Sequence, residues 1–312
     1  MTDAGCTWTW RPSWPVDLHA TLGVLGRGRG DPAFVTGRDG VWWATRAEGL
    51  PVTLHLTSDA RAGVVTAVAW GDTAEAVLPA LPRMLGSDDD VTGFVAHHDV
   101  VARAWRQHAG WRVPRTGRVF EALAPAVLEQ KVTGGEARSS WRSLVSRFGE
   151  PAPGPTPRPM VVPPTPKQWA AIPEWEWYDA GVTPQRRRTL VRAASVGGRL
   201  DAAASLPPDA AGRLMREVPG IGVWTQAEVR QRAFGDPDTV SVGDFHLAMQ
   251  ISWALTGERG NRGDDERMLE LLEPYRGHRY RVQRLLELAG VSAPRRGPRY
   301  APPPHRRVAT PR

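Results

Sequence analysis

Two short segments hold the residue types from which a reaction site could be built. Within residues 214–234, LMREVPGIGVWTQAEVRQRAF, the run Val218-Pro219-Gly220-Ile221-Gly222 is a tight turn. Its glycines permit positive φ or close backbone approach, Pro219 fixes the entry, and Ile221 can tuck between flanking helices. A helix begins directly after it. Its first N–H groups lack intrahelical acceptors and sit at the positive end of the helix dipole, so they can hold a phosphate without reading a base. An ordinary helix–helix connection accounts for the same residues. The second segment, DTVSVGDFHLAMQISWAL, places Asp244 after a loop and before an apolar helix, 22 residues beyond Gly222. That position suits an N-cap. Its coincidence with the turn makes capping alone a less complete account of the residue. Asp236 and Asp238 read as turn residues, and His97 and His98 as surface residues beside Asp99. No cluster of His and acids stands at ligand spacing, so metal-dependent nuclease chemistry is not expected.

The elements that must position these groups fall into two kinds. Residues 15–71 read mostly as short strands. Residues 18–26 are an apolar run, a Gly-Arg-Asp-Gly turn at 37–40 parts two strand-like pieces, and Val52, Leu54 and Leu56 alternate with Thr53, His55 and Thr57. Residues 64–70 make a further strand, and a helix is predicted over 73–85. This reading gives a small α+β domain with an antiparallel sheet over 1–112. From 113 the pattern turns helical, with Leu123, Val127 and Leu128 at helical spacing and a second helix over 141–148. Eight prolines between Pro151 and Pro166 exclude a helix or central strand and predict a surface loop. Further helices are expected over 166–171, 175–180, 184–196, 207–217, 223–234, 244–255 and 264–289. The result is an all-α domain over 113–294, followed by a basic Pro/Arg-rich tail over 295–312 that is expected to be disordered.

Composition narrows the function without naming it. The 312 residues suffice for about two domains at roughly 100–200 residues each. The net charge is +7, but six arginines and no acid lie in 295–312, leaving the body near +1. Lys131 and Lys167 are the only lysines beside 38 arginines, which reads as codon bias rather than function. A single cysteine, Cys6, excludes a disulfide framework, a cysteine-ligated zinc and a four-cysteine iron–sulfur cluster. No apolar run approaches the ~20 residues of a membrane span, and the first residues lack the pattern of a signal peptide. A cytoplasmic protein with no membrane partner is expected.

Taken together, LEQKVTGGEARSSWRSL, VPGIGVWTQAEVRQRAFG and SVGDFHLAMQ resemble the helix-hairpin-helix superfamily of DNA glycosylases, most closely the bacterial inducible 3-methyladenine (alkyl-base) type. The N-terminal TWRP and LGVL segments and the strand-rich first domain match that type as well. The resemblance implies that the hairpin, through Val218, Gly220, Ile221, Gly222, Trp224 and Thr225, grips the backbone of double-stranded DNA, and that Asp244 is the catalytic aspartate. It aligns Leu128 with the wedge that fills the duplex gap, with Gln130 on the same stretch. A core leucine and a helix-surface glutamine are the alternatives.

An enzyme of this kind extrudes the damaged base before cleaving its glycosidic bond. Cleavage leaves positive charge on the sugar, which a nearby carboxylate stabilises. Trp224 stands where bifunctional relatives carry a Schiff-base lysine, so a monofunctional enzyme without lyase activity is expected, acting as a monomer and leaving an abasic site. An aromatic at that position lines the base pocket, where a π face attracts a cationic base. A buried core tryptophan is the alternative. Three other pocket aromatics of the type align with Val24, Glu228 and Arg284, which are not aromatic, and Phe245 and Tyr275 are expected to supply part of the missing surface. No cofactor is expected beyond a monovalent cation on hairpin backbone oxygens near Arg216, Val218 and Ile221. A non-catalytic DNA- or lesion-binding protein, and a glycosylase for another damaged base, remain as alternatives.

Overall fold

The computed structural model describes residues 5–293, so the tail expected at 295–312 lies outside the described residues. The first unit is a five-stranded antiparallel sheet of order β1-β5-β4-β3-β2, built from β1 (Cys6–Trp10), β2 (Phe34–Gly37), β3 (Gly40–Ala47), β4 (Leu50–Asp59) and β5 (Val64–Trp70). The β2–β3 hairpin turns through Arg38 and Asp39, with Gly37 opposite Gly40. Gly40 has φ +117, and a Cβ there would stand 2.1 Å from the Leu56 carbonyl oxygen, so no side chain fits.

One face of the sheet carries Val41, Trp43, Val52, Leu54 and Leu56, buried against Leu18, Leu22, Val77, Leu81 and Leu85. Residues 18–26 are therefore not a strand. Asp17 accepts the Ala20 N–H at 2.9 Å and starts the helix Leu18–Leu22, which lies on the sheet. The helix expected over 73–85 is broken into Ala74–Val77, a 3₁₀ turn and Leu81–Met84 by Pro79 and Pro82. The proline-rich loop is only partly a surface loop. Glu150–Pro151 pairs with Val161–Val162, and Met160 and Val162 are buried on the outer face of the sheet against Trp42 and Ala44.

The remaining chain is helical. Nine of the ten residues of the helix Val119–Leu128 are buried, at the centre of a core that includes Trp141, Trp169, Trp177, Leu190, Met215 and Phe234. A second helical core joins Val101 to Val240, Leu247, Ile251, Tyr275 and Val282. The helix Asp99–Gln107 thus belongs with the C-terminal helices, and the expected division at 112 does not follow the division of the cores. The preceding loop is tied there by Arg281 and Asp89, whose side chains are 0% and 1% exposed and meet through two hydrogen bonds of 2.9 and 2.6 Å. Removing one partner would strand the other charge in the interior at a cost of about 3–5 kcal/mol.

Sheet and helices meet at Glu121, which accepts from the Trp43 indole at 3.1 Å and the Thr45 hydroxyl at 2.7 Å. Burial pushes the Glu121 carboxyl above its usual value of 4.5, outweighing Arg118 and these two hydrogen bonds. A carboxyl raised in this way binds a proton more readily folded than unfolded. Its contribution is therefore most favourable below the unfolded pKa and falls as pH rises through the folded one. Glu121→Gln is expected to flatten that part of the stability profile, read as urea midpoints over a pH series beginning below 4.5. An unchanged slope would show that the group does not titrate differently on folding.

Candidate functional site

The site is assembled from the hairpin, the turn after Val119–Leu128, and the loop before Leu247–Thr256. The hairpin runs from the helix Pro208–Arg216 through the Val218-Pro219-Gly220-Ile221-Gly222 turn into the helix Val223–Val229. Val218 and Ile221 are 7% and 5% exposed and pack in the helical core, so only their backbone can meet a ligand. The Ile221 N–H donates to the Val218 carbonyl at 3.0 Å and closes the turn. The second hairpin helix continues as a π-helical turn, Arg230–Phe234, and stops at Gly235 in the left-handed region.

The turn's two glycines do different work. Gly220 has φ +100, and a Cβ there would lie 2.1 Å from Thr189 Oγ1. Gly222 is extended, with φ −96, and its Cβ direction meets nothing within 4 Å. Beside it Val223 is 47% exposed at the open N-terminus of its helix.

Thr225 is 2% exposed, and its hydroxyl faces inward. It accepts from Gln130 Nε2 at 2.8 Å, while the same amide donates to the Gly220 carbonyl at 3.0 Å. Gln130 is thus a brace between its own turn and the hairpin. Arg186, 2% exposed, donates to the Leu128 carbonyl at 2.7 Å and to that of Gly181 at 2.9 Å, fixing the end of the Val119–Leu128 helix. Leu128 does not fit the wedge expectation: it is 0% exposed within the helical core and cannot enter a duplex without emptying that core. The exposed residue of this turn is Lys131, held at φ +54.

Asp244 both caps the following helix and touches the hairpin. Its Oδ1 accepts the N–H groups of His246 and Leu247 at 2.8 and 2.9 Å, satisfying donors at the start of Leu247–Thr256. Its Oδ2 accepts from the half-buried indole of Trp224 at 3.3 Å. The loop leading to it is held by the acids read as turn residues. Asp236 accepts from the Asp238 and Thr239 N–H groups and pairs with Arg230. Asp238 accepts from the N–H groups of Gly277 and Arg279 and pairs with the Arg279 side chain.

Phe245, next to Asp244, is 61% exposed, with the Arg262 guanidinium 4.7 Å from its ring centre. Tyr275 is not beside it. That residue is 2% exposed in the second helical core and bonded through its hydroxyl to His98 Nδ1 at 2.6 Å, so it cannot line an open pocket. The contact also makes His98 an anchor rather than a free surface residue. Val24 and Glu228 are brought together by Arg232, which donates to the Val24 carbonyl at 3.1 Å and pairs with Glu228 at 2.8 Å. Arg284 pairs with Glu287 at 3.0 Å. Arg232, Ser241 and Arg186 were not singled out in the sequence. Only the Glu228–Arg232 spacing, a helical i,i+4 pair of opposite charge, carried a readable signal.

The glycine geometry predicts a split in stability. Gly220→Ala forces an L residue into positive φ against Thr189 and should cost at least ~1–2 kcal/mol. Gly222→Ala should cost at most about 1 kcal/mol, the N-cap preference of glycine over alanine. Equal denaturation midpoints for the two variants would contradict the structure.

No known family profile matches the chain. A Mycobacterium tuberculosis protein described as "Probable bifunctional transcriptional activator/DNA repair enzyme AlkA" is 30% identical over 177 residues, covering 54% of this chain and 32% of that protein. The chain therefore matches about a third of the length of this curated relative. Among solved structures, a 3-methyladenine DNA-glycosylase from Archaeoglobus fulgidus superposes with a TM-score of 0.75 at 17% identity, over 91% of this chain and 98% of that one. An 8-oxoguanine glycosylase/lyase from Clostridium acetobutylicum gives 0.67 at 11% identity, over 90% and 95%. A Schizosaccharomyces pombe 3-methyladenine DNA glycosylase in complex with abasic DNA gives 0.51 at 15% identity, over 62% and 93%.

Proposed function

We propose that this chain, which has the fold of the helix-hairpin-helix DNA glycosylases, extrudes alkylated purines of the 3-methyladenine kind from duplex DNA and hydrolyses their glycosidic bond, leaving an abasic site. The observation that carries the reading is the contact between Trp224 and Asp244 Oδ2. It sets a carboxylate beside the helix whose open N-terminus follows the hairpin turn.

In this reading the backbone N–H groups after Gly222 take a DNA phosphate, and the neighbouring nucleotide swings toward Trp224. The indole offers a π face to a cationic base. Asp244 stabilises positive charge growing on the sugar, and its Oδ2 retains a lone pair that can orient or deprotonate water. Leu128 being buried, Lys131 takes the duplex gap, its aliphatic stem among the bases and its ammonium near phosphate. The hairpin offers only uncharged backbone oxygens at Arg216, Val218 and Ile221, a donor set that suits a hard monovalent cation. When bound, such a cation adds positive charge where phosphate docks. With Trp224 in place of a Schiff-base lysine, no lyase step follows. The protein acts as a monomer.

The test uses purified protein and duplex DNA containing 3-methyladenine or 7-methylguanine. Wild type should release the base and Asp244→Asn should not, with binding retained. Equal release by both would remove Asp244 from the mechanism, and binding without release by either would favour a non-catalytic lesion binder. Borohydride should trap no covalent adduct; an adduct lost in Lys131→Ala would instead identify that residue as a lyase nucleophile. Gly222→Trp should weaken binding to all duplex sequences alike while leaving the fold intact.

A further inference from the structure

The residues behind Trp224 are charged and held in fixed positions. Glu228 lies one helical turn beyond Trp224, so the two share a face of the helix. Its Oε1 accepts from the Ser241 hydroxyl at 2.5 Å, and its Oε2 pairs with Arg232 at 2.8 Å. The backbone carbonyl of Ser241 in turn accepts the Asp244 N–H at 3.1 Å. Glu228 and Asp244 are thereby anchored to one four-residue loop segment as well as to one helix face through Trp224.

Other contacts lock the arrangement. Gln231 donates to Ser241 Oγ and to the Thr239 carbonyl, each at 3.0 Å. Arg232 also reaches the Val24 carbonyl. Burial disfavours the Arg232 charge, yet Glu228, Tyr280 and Glu129 together outweigh it and hold the guanidinium firmly protonated. Arg27 and Glu129, paired at 3.5 Å, are the next charges in this network. The Glu228 side chain is 12% exposed. Each carboxylate oxygen can accept about two hydrogen bonds, so capacity remains after Ser241 and Arg232 are served.

We propose that Glu228 is a specificity-determining residue. Its carboxylate, one helical turn beyond Trp224 and anchored like Asp244 to the 241–244 segment, selects extruded bases that are cationic or present N–H donors over neutral bases edged only with acceptors. The inference rests on the base-excision reading above. A π face attracts a cation weakly and is indifferent to hydrogen-bond pattern. The Glu228 carboxylate, its charge shared with Arg232, keeps acceptor capacity that pairs with an N–H edge or a cationic base and leaves an acceptor edge facing it unpaired.

The test measures single-turnover release from duplexes carrying 7-methylguanine, which is cationic, hypoxanthine, which is neutral with an N–H donor, or ethenoadenine, which is neutral with acceptors alone. Each rate is divided by the uncatalysed rate for that base, because cationic bases leave faster in water. Wild type should favour the first two. Glu228→Gln should lower normalised 7-methylguanine release by about tenfold, equivalent to ~1.4 kcal/mol, with little change for ethenoadenine. A uniform fall across lesions would mean that Glu228 only supports Arg232, and the proposal is overturned. Wild-type rates without preference overturn it with no variant needed, whether or not Glu228→Gln folds. Release of no base at all by wild type sinks the base-excision reading itself, a result distinct from unselective release.

Discussion

An indole N–H donating to one carboxylate oxygen joins the two halves of the candidate site. Trp224 is carried by the hairpin and Asp244 by the loop before Leu247–Thr256, and their 3.3 Å contact sets the distance between the open helix terminus and the Asp244 carboxylate. The geometry works because Asp244 divides its duties. Oδ1 is committed to two backbone N–H groups, which stops the side chain from rotating. Oδ2, with one donor, keeps acceptor capacity where chemistry is proposed.

Everything nearby restrains this pair. Asp236 and Asp238 consume their oxygens on backbone N–H groups and on Arg230 and Arg279, so the loop reaches Asp244 without slack. On the other side, Gln130 bridges Gly220 and Thr225, while Arg186 holds the Leu128 carbonyl. The turn bearing Lys131 therefore moves with the hairpin. A site spread over three segments is held by side chains bonded to backbone, an arrangement that fixes orientation more tightly than apolar contacts, which have no preferred direction.

Charge is used inside this protein more than its modest net value suggests. Arg281 with Asp89, Arg232 with Glu228, and Arg118 facing Glu121 are partly or fully removed from water. Buried pairs of this kind add little to stability against an apolar substitute, because desolvation offsets the attraction. Their effect is geometric: the first ties the 86–94 loop to the C-terminal helix, the second sets the residues behind Trp224, and the third registers sheet against helices.

Much of the fold was legible because local periodicity and turn chemistry act over a few residues. The strands from 34 to 70, the hairpin and its two helices, and Asp244 at the head of an apolar helix were all readable from spacing. Readings failed where a distant partner decides. The 18–26 run could be strand or helix until Asp17 capped it on the sheet, and Met160 and Val162 are buried only because Trp42 lies beneath them. Residue types and order by themselves determined that a tight Pro/Gly turn opening a helix and a carboxylate heading another lie on one helical scaffold, since glycine, proline and N-cap preferences are local. Only the tertiary structure decided which side chains face that site. Leu128 and Tyr275 are taken into cores, Lys131 is left exposed, and Glu228 is tied to Ser241, because burial depends on what packs from far along the chain.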